Sequence, residues 1–566
     1  MKKTFEIKSS TMKLIMIAIA VFGIIFGVVS VTQNWGKNPG TITTEDAIKR
    51  LNDLYRPLRV NMLAPKKDPS ILMDNSDEEM AVLPDISQYP FVVNPNADNF
   101  LTLYASSEKT GTGYAGWMTE LAEQFNKSGI TIDGSPVSVG VRSVPSGIGA
   151  AFIYSGKYTP DLFAPSSELW GDIILGKGVS VRLLEKRLAG NVAGVVLSKK
   201  KSEELTQKHG TLDGAAIVSS ILDGELVVGY ADALSSSEGL NFVLTALQTF
   251  DSKNPLSDTA VAQLKKFQDH IPYVAYDASQ LKDSTVLGTL DGFVGDYQMY
   301  VNAPELQAYA FIPLGVRHDQ PVYAVGELTP LKEKIAEAFI DFCKTPEAQK
   351  LAGEKGFNGL EDYAYNHENP DGTTILQVQE TWKKEKSGTR DMTAVFVADI
   401  SGSMEGSPML KLKASLNRAA TVIDSNTNIG LVTFSDEVNI ALPIAKFDQN
   451  QKAFFYNAVK SMWAGGGTAM FDAIVVGEKM LMDAQEQNPN TKLMLFVLTD
   501  GETNRGYDFG KIEAITRNLR IPIYTIGYNA DIDILQRVSD INEATTMNAE
   551  TDNVIYKLES LFNAQM

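Results

Sequence analysis

Asp399, Ser401 and Ser403 stand at alternate positions directly after an apolar, β-branched run, Thr393–Ala398. That spacing lets their oxygens converge on one point in the loop leaving a buried strand. Thr468 sits in a second loop, Gly465–Ala469, behind three glycines, and Asp500 ends a second apolar run, Leu493–Thr499. Hydroxyl and carboxylate oxygens are hard ligands, suited to Mg²⁺, Mn²⁺ or Ca²⁺ and poor for zinc or copper. Mg²⁺ keeps several waters, so a few protein oxygens suffice. The spacing D-x-S-x-S arises by chance in roughly one chain in ten of this length. A Ser/Asp turn with no ligand is therefore its ordinary alternative.

The elements that must position these residues are parallel strands. Val395–Val397 and Leu493–Val497 read as central strands whose carboxyl ends open on a common crevice, where ligands of open α/β sheets sit. Helices are expected at 409–424, 449–462, 471–484, 510–519 and 553–562, with strands IGLVTF, VNIALP and IPIYTIGY between them. This alternation makes a doubly wound sheet. The D-x-S-x-S loop, the Thr loop and the Asp at a second strand end together resemble the metal-ion-dependent adhesion site of von Willebrand factor A domains. The resemblance implies that Asp399, Ser401, Ser403, Thr468 and Asp500 hold Mg²⁺ (or Mn²⁺ or Ca²⁺), the serines and the threonine directly and the carboxylates largely through water. It also implies that the metal captures an acidic side chain of a protein partner. A nucleophilic aspartate for phosphoryl transfer, as in haloacid-dehalogenase-like phosphatases, would want a second Asp where Ser401 stands. No histidine follows Arg390 to act as a base, so no enzyme is expected. Glu502 reads as surface rather than ligand.

The preceding residues repeat strand, small-residue loop and helix. LTLYA (101–105) runs into SSEKTGTG and a helix at 116–125, and VSVGV runs into RSVPSGIGAAFI. Hydroxyls and amides at helix N-termini can cradle an anion, though such residues also serve merely as turns and caps. Taken in order, SSEKTG, PSGIGA, PDLFAPSSELW, RLAGNVAGVVLSKK, GYADALSSSEGLNF and FIDFCKTPEAQKLAGEKGF resemble bacterial extracytoplasmic solute-binding proteins, nearest to the two-lobed type that holds oxyanions. The likeness covers roughly 98–360. It implies a cleft between lobes, a crossing into the second lobe near 189–196 and a return near 311–315. Its ligand would touch Ser106, Ser107, Ser146 and Gly147 from one lobe, Ser235, Ser236 and Ser237 from the other, and Tyr297. Such proteins often carry proline before the second-lobe serines. Ala233 or Leu234 stands there instead, which leaves the ligand class open between an oxyanion, another small molecule and none.

The chain has 566 residues, too many for one core, and a net charge of −18 that disfavours nucleic acid as a partner. Its single cysteine, Cys343, forbids an intrachain disulfide and reads as a small buried hydrophobe. His209, His270, His318 and His367 lack the spacing of a zinc site. Residues 14–36 carry no charge and follow Lys2, Lys3, Lys8 and Lys13. This favours a single transmembrane helix, N-terminus in the cytoplasm, over a cleaved signal peptide.

The expected organisation is a cytoplasmic segment 1–13, the span 14–36 and a linker with extension 37–97. A short helix near 44–58, capped by Thr44, falls in that extension. A solute-binding-like domain at 98–375 follows, with its second lobe at about 191–310. A linker of solvated helix at 376–389 leads to the von Willebrand-type domain at 390–566. The function expected is a membrane-anchored extracytoplasmic binding or adhesion protein of bacterial type. The alternative is a tethered substrate receptor of an ABC-type transporter, with the metal domain as docking module.

Overall fold

The computed structural model describes residues 43–68 and 83–528, apart from 273, 276, 277, 287, 289, 387 and 502, together with 535, 537–539 and 546–548. The expected span 14–36, the helix at 553–562 and Glu502 lie outside the described residues. Among the described residues no helix is long and apolar enough to cross a membrane.

Three sheets organise the chain. The C-terminal sheet runs in the order Val60–Met62, Val438–Lys446, Asn428–Phe434, Met392–Asp399, Lys492–Thr499, Ile523–Gly527, Thr546–Asn548. Its central strands are parallel and buried along their whole length, which explains why they read as unbroken apolar runs rather than alternating ones. Val438–Lys446 runs antiparallel to its neighbour. Helices cover both faces, with Leu412 and Phe455 buried on one side and Phe471, Ile474 and Ile512 on the other.

The extension assigned to a linker is partly a component of this sheet. Thr44–Tyr55 is a helix whose N-cap is Thr43, one residue earlier than expected, and its apolar Ala47 and Leu51 are completely buried in the C-terminal core. Val60–Met62 then adds a parallel edge strand to Val438–Ile440. The Tyr507 hydroxyl donates to the Leu54 carbonyl at 2.9 Å, which ties the two parts of the chain together. The solute-binding-like domain is thus inserted between one edge of the C-terminal domain and the rest of it. A short amphipathic helix in a polar stretch conceals this, because the apolar face it covers lies more than 400 residues away in sequence.

The inserted domain has two lobes. The first is built on the order Phe91–Val93, Ser135–Ser143, Asn99–Ala105, Leu162–Ala164, Val322–Val325, Val181–Glu185. The second has the order Val274–Ala275, Val228–Ala231, Gly292–Asp296, Val192–Ser198, Tyr309–Arg317. The chain crosses between Glu185 and Val192 and returns between Arg317 and Val322. The return comes later than 311–315 because Tyr309–Arg317 stays paired with Val192–Ser198 to its end.

The expected solvated linker at 376–389 is also corrected. Gly372–Glu385 is a helix with Ile375, Val378, Gln379 and Trp382 buried, so only its charged face is solvated. Gly372 lies so close to the Asp172 carbonyl of the first lobe that a Cβ there would come within 1.8 Å of it. Farther along, Trp382 Nε1 donates to the Tyr230 hydroxyl at 2.7 Å and Gln379 Nε2 to the Ala233 carbonyl at 2.9 Å, both in the second lobe. One helix therefore straps both lobes before the chain enters the C-terminal sheet.

Candidate functional site

At the C-terminal site, Met392–Asp399 delivers Asp399 fully buried at its end. One carboxylate oxygen accepts the Ser401 amide at 2.7 Å and the other accepts the Thr499 hydroxyl at 2.5 Å. Thr499 in turn accepts the Gly501 amide at 3.1 Å, so the Asp500 loop is tied to Asp399 through one hydroxyl. Burial raises the Asp399 pKa to about 6, its hydrogen bonds oppose that rise, and the nearby Asp500 charge adds to it.

The glycine loop is drawn in by backbone. The Gly402 amide donates to the Gly466 carbonyl at 3.0 Å and the Gly465 amide to the Ile400 carbonyl at 2.9 Å. Gly466 has φ of +85°, a conformation that disfavours any side chain there. Thr468 is buried, its amide held by Asn504 Oδ1 at 2.9 Å and its carbonyl by the Thr503 hydroxyl at 2.8 Å. Neither support residue was named from sequence; both lie just past Asp500 in an ordinary polar turn.

Ser401 and Ser403 place their hydroxyl oxygens 3.0 Å apart. Adjacent ligands of an octahedral ion with bonds of about 2.1 Å are separated by about 3 Å, so the pair fits Mg²⁺. The three loops carrying all five expected residues thus meet at the carboxyl ends of the central strands.

The second site is the cleft of the inserted domain, a cavity of about 520 Å³. Six of the expected residues line it: Ser106, Ser107, Ser146, Ser235, Ser236 and Ser237. Gly147 contributes differently. Its amide donates across the lobes to the Ser235 carbonyl at 3.2 Å, and a Cβ there would meet the Leu234 carbonyl oxygen at 2.3 Å. Only glycine permits that approach. Further bonds close the lobes together. Ser166 and Ser237 share a hydrogen bond of 2.5 Å, and Gln298 Nε2 donates to the Glu108 carbonyl at 3.0 Å.

Tyr297 does not reach the cavity. Its ring packs on Tyr300, Phe311 and Gly359, because the helix Tyr297–Asn302 starts directly after the strand-end Asp296 and turns residue 297 outward. The neighbours Asp296 and Gln298 line the cavity instead.

Sequence reasoning missed the acids Glu108, Glu238 and Asp296, which also line the cavity. A signal existed. Ser-Ser-Glu occurs at 106–108, 166–168 and 236–238, and in the first and last of these the leading serine donates to the glutamate, at 2.5 Å and 2.6 Å. Asp296 sits close to Glu238 and His318, all three offering a ligand atom within 4.8 Å of the others. His318 is buried, far in sequence from Glu238, and no spacing rule could have joined them.

Residues 394–564 match the von Willebrand factor type A domain, and residues 109–358 match a bacterial extracellular solute-binding protein family. The chain joins these two kinds of domain. It is 28% identical over 176 residues to a von Willebrand factor A domain-containing protein of Dictyostelium discoideum, covering 30% of this chain and 18% of that protein. Over 150 residues it is 29% identical to the human inter-alpha-trypsin inhibitor heavy chain H3, covering 24% of this chain and 16% of that one. The chain thus spans less than a fifth of these curated relatives' length. Among solved structures, the sulfate-binding protein SubI of Mycobacterium tuberculosis aligns with 46% of this chain and 88% of its own, at 16% identity and a TM-score of 0.34.

Proposed function

We propose that this protein is a membrane-anchored, extracytoplasmic binding protein with two recognition sites. Its von Willebrand-type domain holds Mg²⁺ through Ser401, Ser403 and Thr468, with Asp399 and Asp500 behind them. A cation held mainly by neutral hydroxyls stays electron-poor and attracts a carboxylate from a partner protein. The observation that carries this reading is the pair of serine oxygens 3.0 Å apart above a buried, hydrogen-bonded Asp399. Trp463 supports it, being 83% exposed only two residues ahead of the loop that closes the site. An exposed indole beside a charged contact is the kind of anchor that protein interfaces bury. The solute-binding-like domain takes a small ligand between its lobes, and residues 14–36 anchor the whole in a membrane.

The test is thermal unfolding of the full chain with Mg²⁺ or with EDTA, beside Asp399→Ala. Metal at about 100 times its Kd stabilises the folded state by roughly 2.7 kcal/mol. We expect a clear upward shift in the wild type and none in the variant. Equal melting with and without Mg²⁺ in the wild type would remove the metal from the proposal.

A further inference from the structure

Among the described residues the cleft is lined by three carboxylates, Glu108, Glu238 and Asp296, and by no lysine, arginine or histidine. Glu108 is accounted for: it accepts from Ser106 and lies 3.4 Å from the buried ammonium of Lys109. That ammonium is itself spent on Ser106 at 2.5 Å and on Gln320 at 2.6 Å. Glu238 and Asp296 have no lysine or arginine beside them among the described residues lining the cleft. Glu238 accepts the Ser236 hydroxyl and lies within hydrogen-bonding reach of Asp296. Asp296 lines the cavity at 3% exposure; its Oδ1 is bonded to His318 Nδ1 at 2.9 Å, and its buried Oδ2 has no hydrogen-bond partner among the described residues.

His318 offers one positive charge at most against the two carboxylates. The Asn241 side chain is fixed, its oxygen accepting the Val316 amide at 2.8 Å and its nitrogen donating to the Val316 carbonyl at 2.7 Å. The same Asn241 nitrogen faces His318 Nε2 at 3.2 Å, an arrangement that favours an accepting Nε2 and directs the Nδ1 proton toward Asp296. Burial opposes charge on this imidazole, but the Asp296, Glu238 and Glu108 carboxylates outweigh it and hold its pKa above the ordinary value, so one histidine still faces two carboxylates. Two buried carboxyls side by side cannot both stay charged unless something positive lies between them. A proton on Glu238 is one answer, since burial and the Asp296 charge hold its carboxyl up to about 7 while His318 pulls it down.

On the reading that this cleft is a ligand site, we infer that it takes a small organic cation whose ammonium group sits between Glu238 and Asp296 Oδ2. An oxyanion would add negative charge to a wall that already has an excess. A metal ion held by Glu238, Asp296 and His318 would need Nδ1, which is committed, and would turn the Nε2 proton against the Asn241 amide. The space of about 520 Å³ also suits an organic molecule rather than a bare ion. An ammonium group carries three N–H donors, matching the two carboxylates and the serine hydroxyls beside them.

The experiment is thermal unfolding and calorimetric titration of the full chain, with Mg²⁺ constant, against methylammonium, putrescine, sulfate, molybdate and Zn²⁺ at matched ionic strength. We expect stabilisation by the two amines and weakening of their binding by roughly tenfold or more in Glu238→Gln and in Asp296→Asn. These variants keep the shape of the site, and the wild-type comparison stands even if one of them folds poorly. Binding of sulfate or molybdate without the amines would overturn the cation while leaving the cleft a ligand site. Zn²⁺ stabilisation lost in Glu238→Gln, with no amine effect, would replace it by a metal. No response to any probe would overturn both the inference and the cleft's role as a ligand site.

Discussion

The buried carboxyls of this protein have different tasks, and hydrogen bonds separate them. Asp399 has both oxygens satisfied, so it is a fixed support for whatever Ser401 and Ser403 hold. Thr499→Val removes the hydroxyl that links Asp399 to the Asp500 loop. We expect it to cut the Mg²⁺-induced melting shift by about 1–2 kcal/mol of stabilisation, read in the same thermal assay. Glu478 is completely buried in a helix packed against the central strands, and burial pushes its carboxyl up to about 8. A carboxyl with a raised folded pKa binds more protons folded than unfolded, so its contribution to stability declines as pH rises. The decline begins near the unfolded value of 4.5 and is complete above about 8. Glu478→Gln should be neutral below pH 4.5 and more stable than wild type by on the order of 5 kcal/mol above pH 8. Denaturant unfolding of the metal-responsive transition across that range checks it, and a pH-independent difference would sink it.

Among the elements, the N-terminal helix and the strap helix matter most, since each joins regions remote in sequence. Leu51 is fully buried against the C-terminal core from the far side of the inserted domain. Leu51→Ala should destabilise that core by about 2–4 kcal/mol, seen as a lower melting point of the Mg²⁺-dependent transition. Removing residues 43–68 should cost more, because it also bares the edge of Val438–Lys446 for pairing with other chains. Light scattering of the truncated protein would show the added self-association. The strap helix holds the Ala233 carbonyl directly behind the cleft serines. Its next residues run to Lys386, which burial pushes down to about 7 and the nearby Asp232 charge pulls back up. Asp232 receives the Leu234 amide at 2.8 Å, so the strap contacts the loop that forms one wall of the cleft. Trp382→Phe loses the bond to Tyr230 and should speed hydrogen exchange of the 372–385 amides; unchanged exchange would deny the helix that anchoring role.

For the whole molecule, insertion has a mechanical consequence. The cleft domain is joined to the metal domain at both of its ends, through residue 68 on one side and Arg390 on the other, rather than hanging from one linker. The junction is supported by contacts, with Arg390 donating to the Asp269 carbonyl at 2.7 Å and Thr389 to the Asp269 carboxylate at 2.7 Å. Opening the cleft would move the strapped lobes against each other and strain this junction. Coupling between sites still requires that ligand favour one arrangement over the other. Mg²⁺ affinity measured with and without a saturating cleft ligand tests it, and reciprocity demands the same factor in both directions.

Local patterns determined much of this protein from sequence alone. Buried parallel strands announce themselves as apolar runs, and loops that must present oxygens carry Asp, Ser, Thr and Gly next to those runs. Asp399, Ser401, Ser403, Thr468, Asp500 and the six cleft serines were legible for that reason. Three things depended on tertiary structure. Joining residues 43–68 to the C-terminal sheet is a pairing across the inserted domain, and a twelve-residue amphipathic helix does not say which core it covers. The strap helix reads as a charged linker because five buried positions in fourteen residues, one of them a glycine, carry little signal until both lobes lie against them. The charge of the cleft is the sum of side chains from two helices and a strand that are remote in sequence. Glu238, Asp296 and His318 acquire their chemistry only when burial removes water and leaves each as the other's nearest charge or dipole.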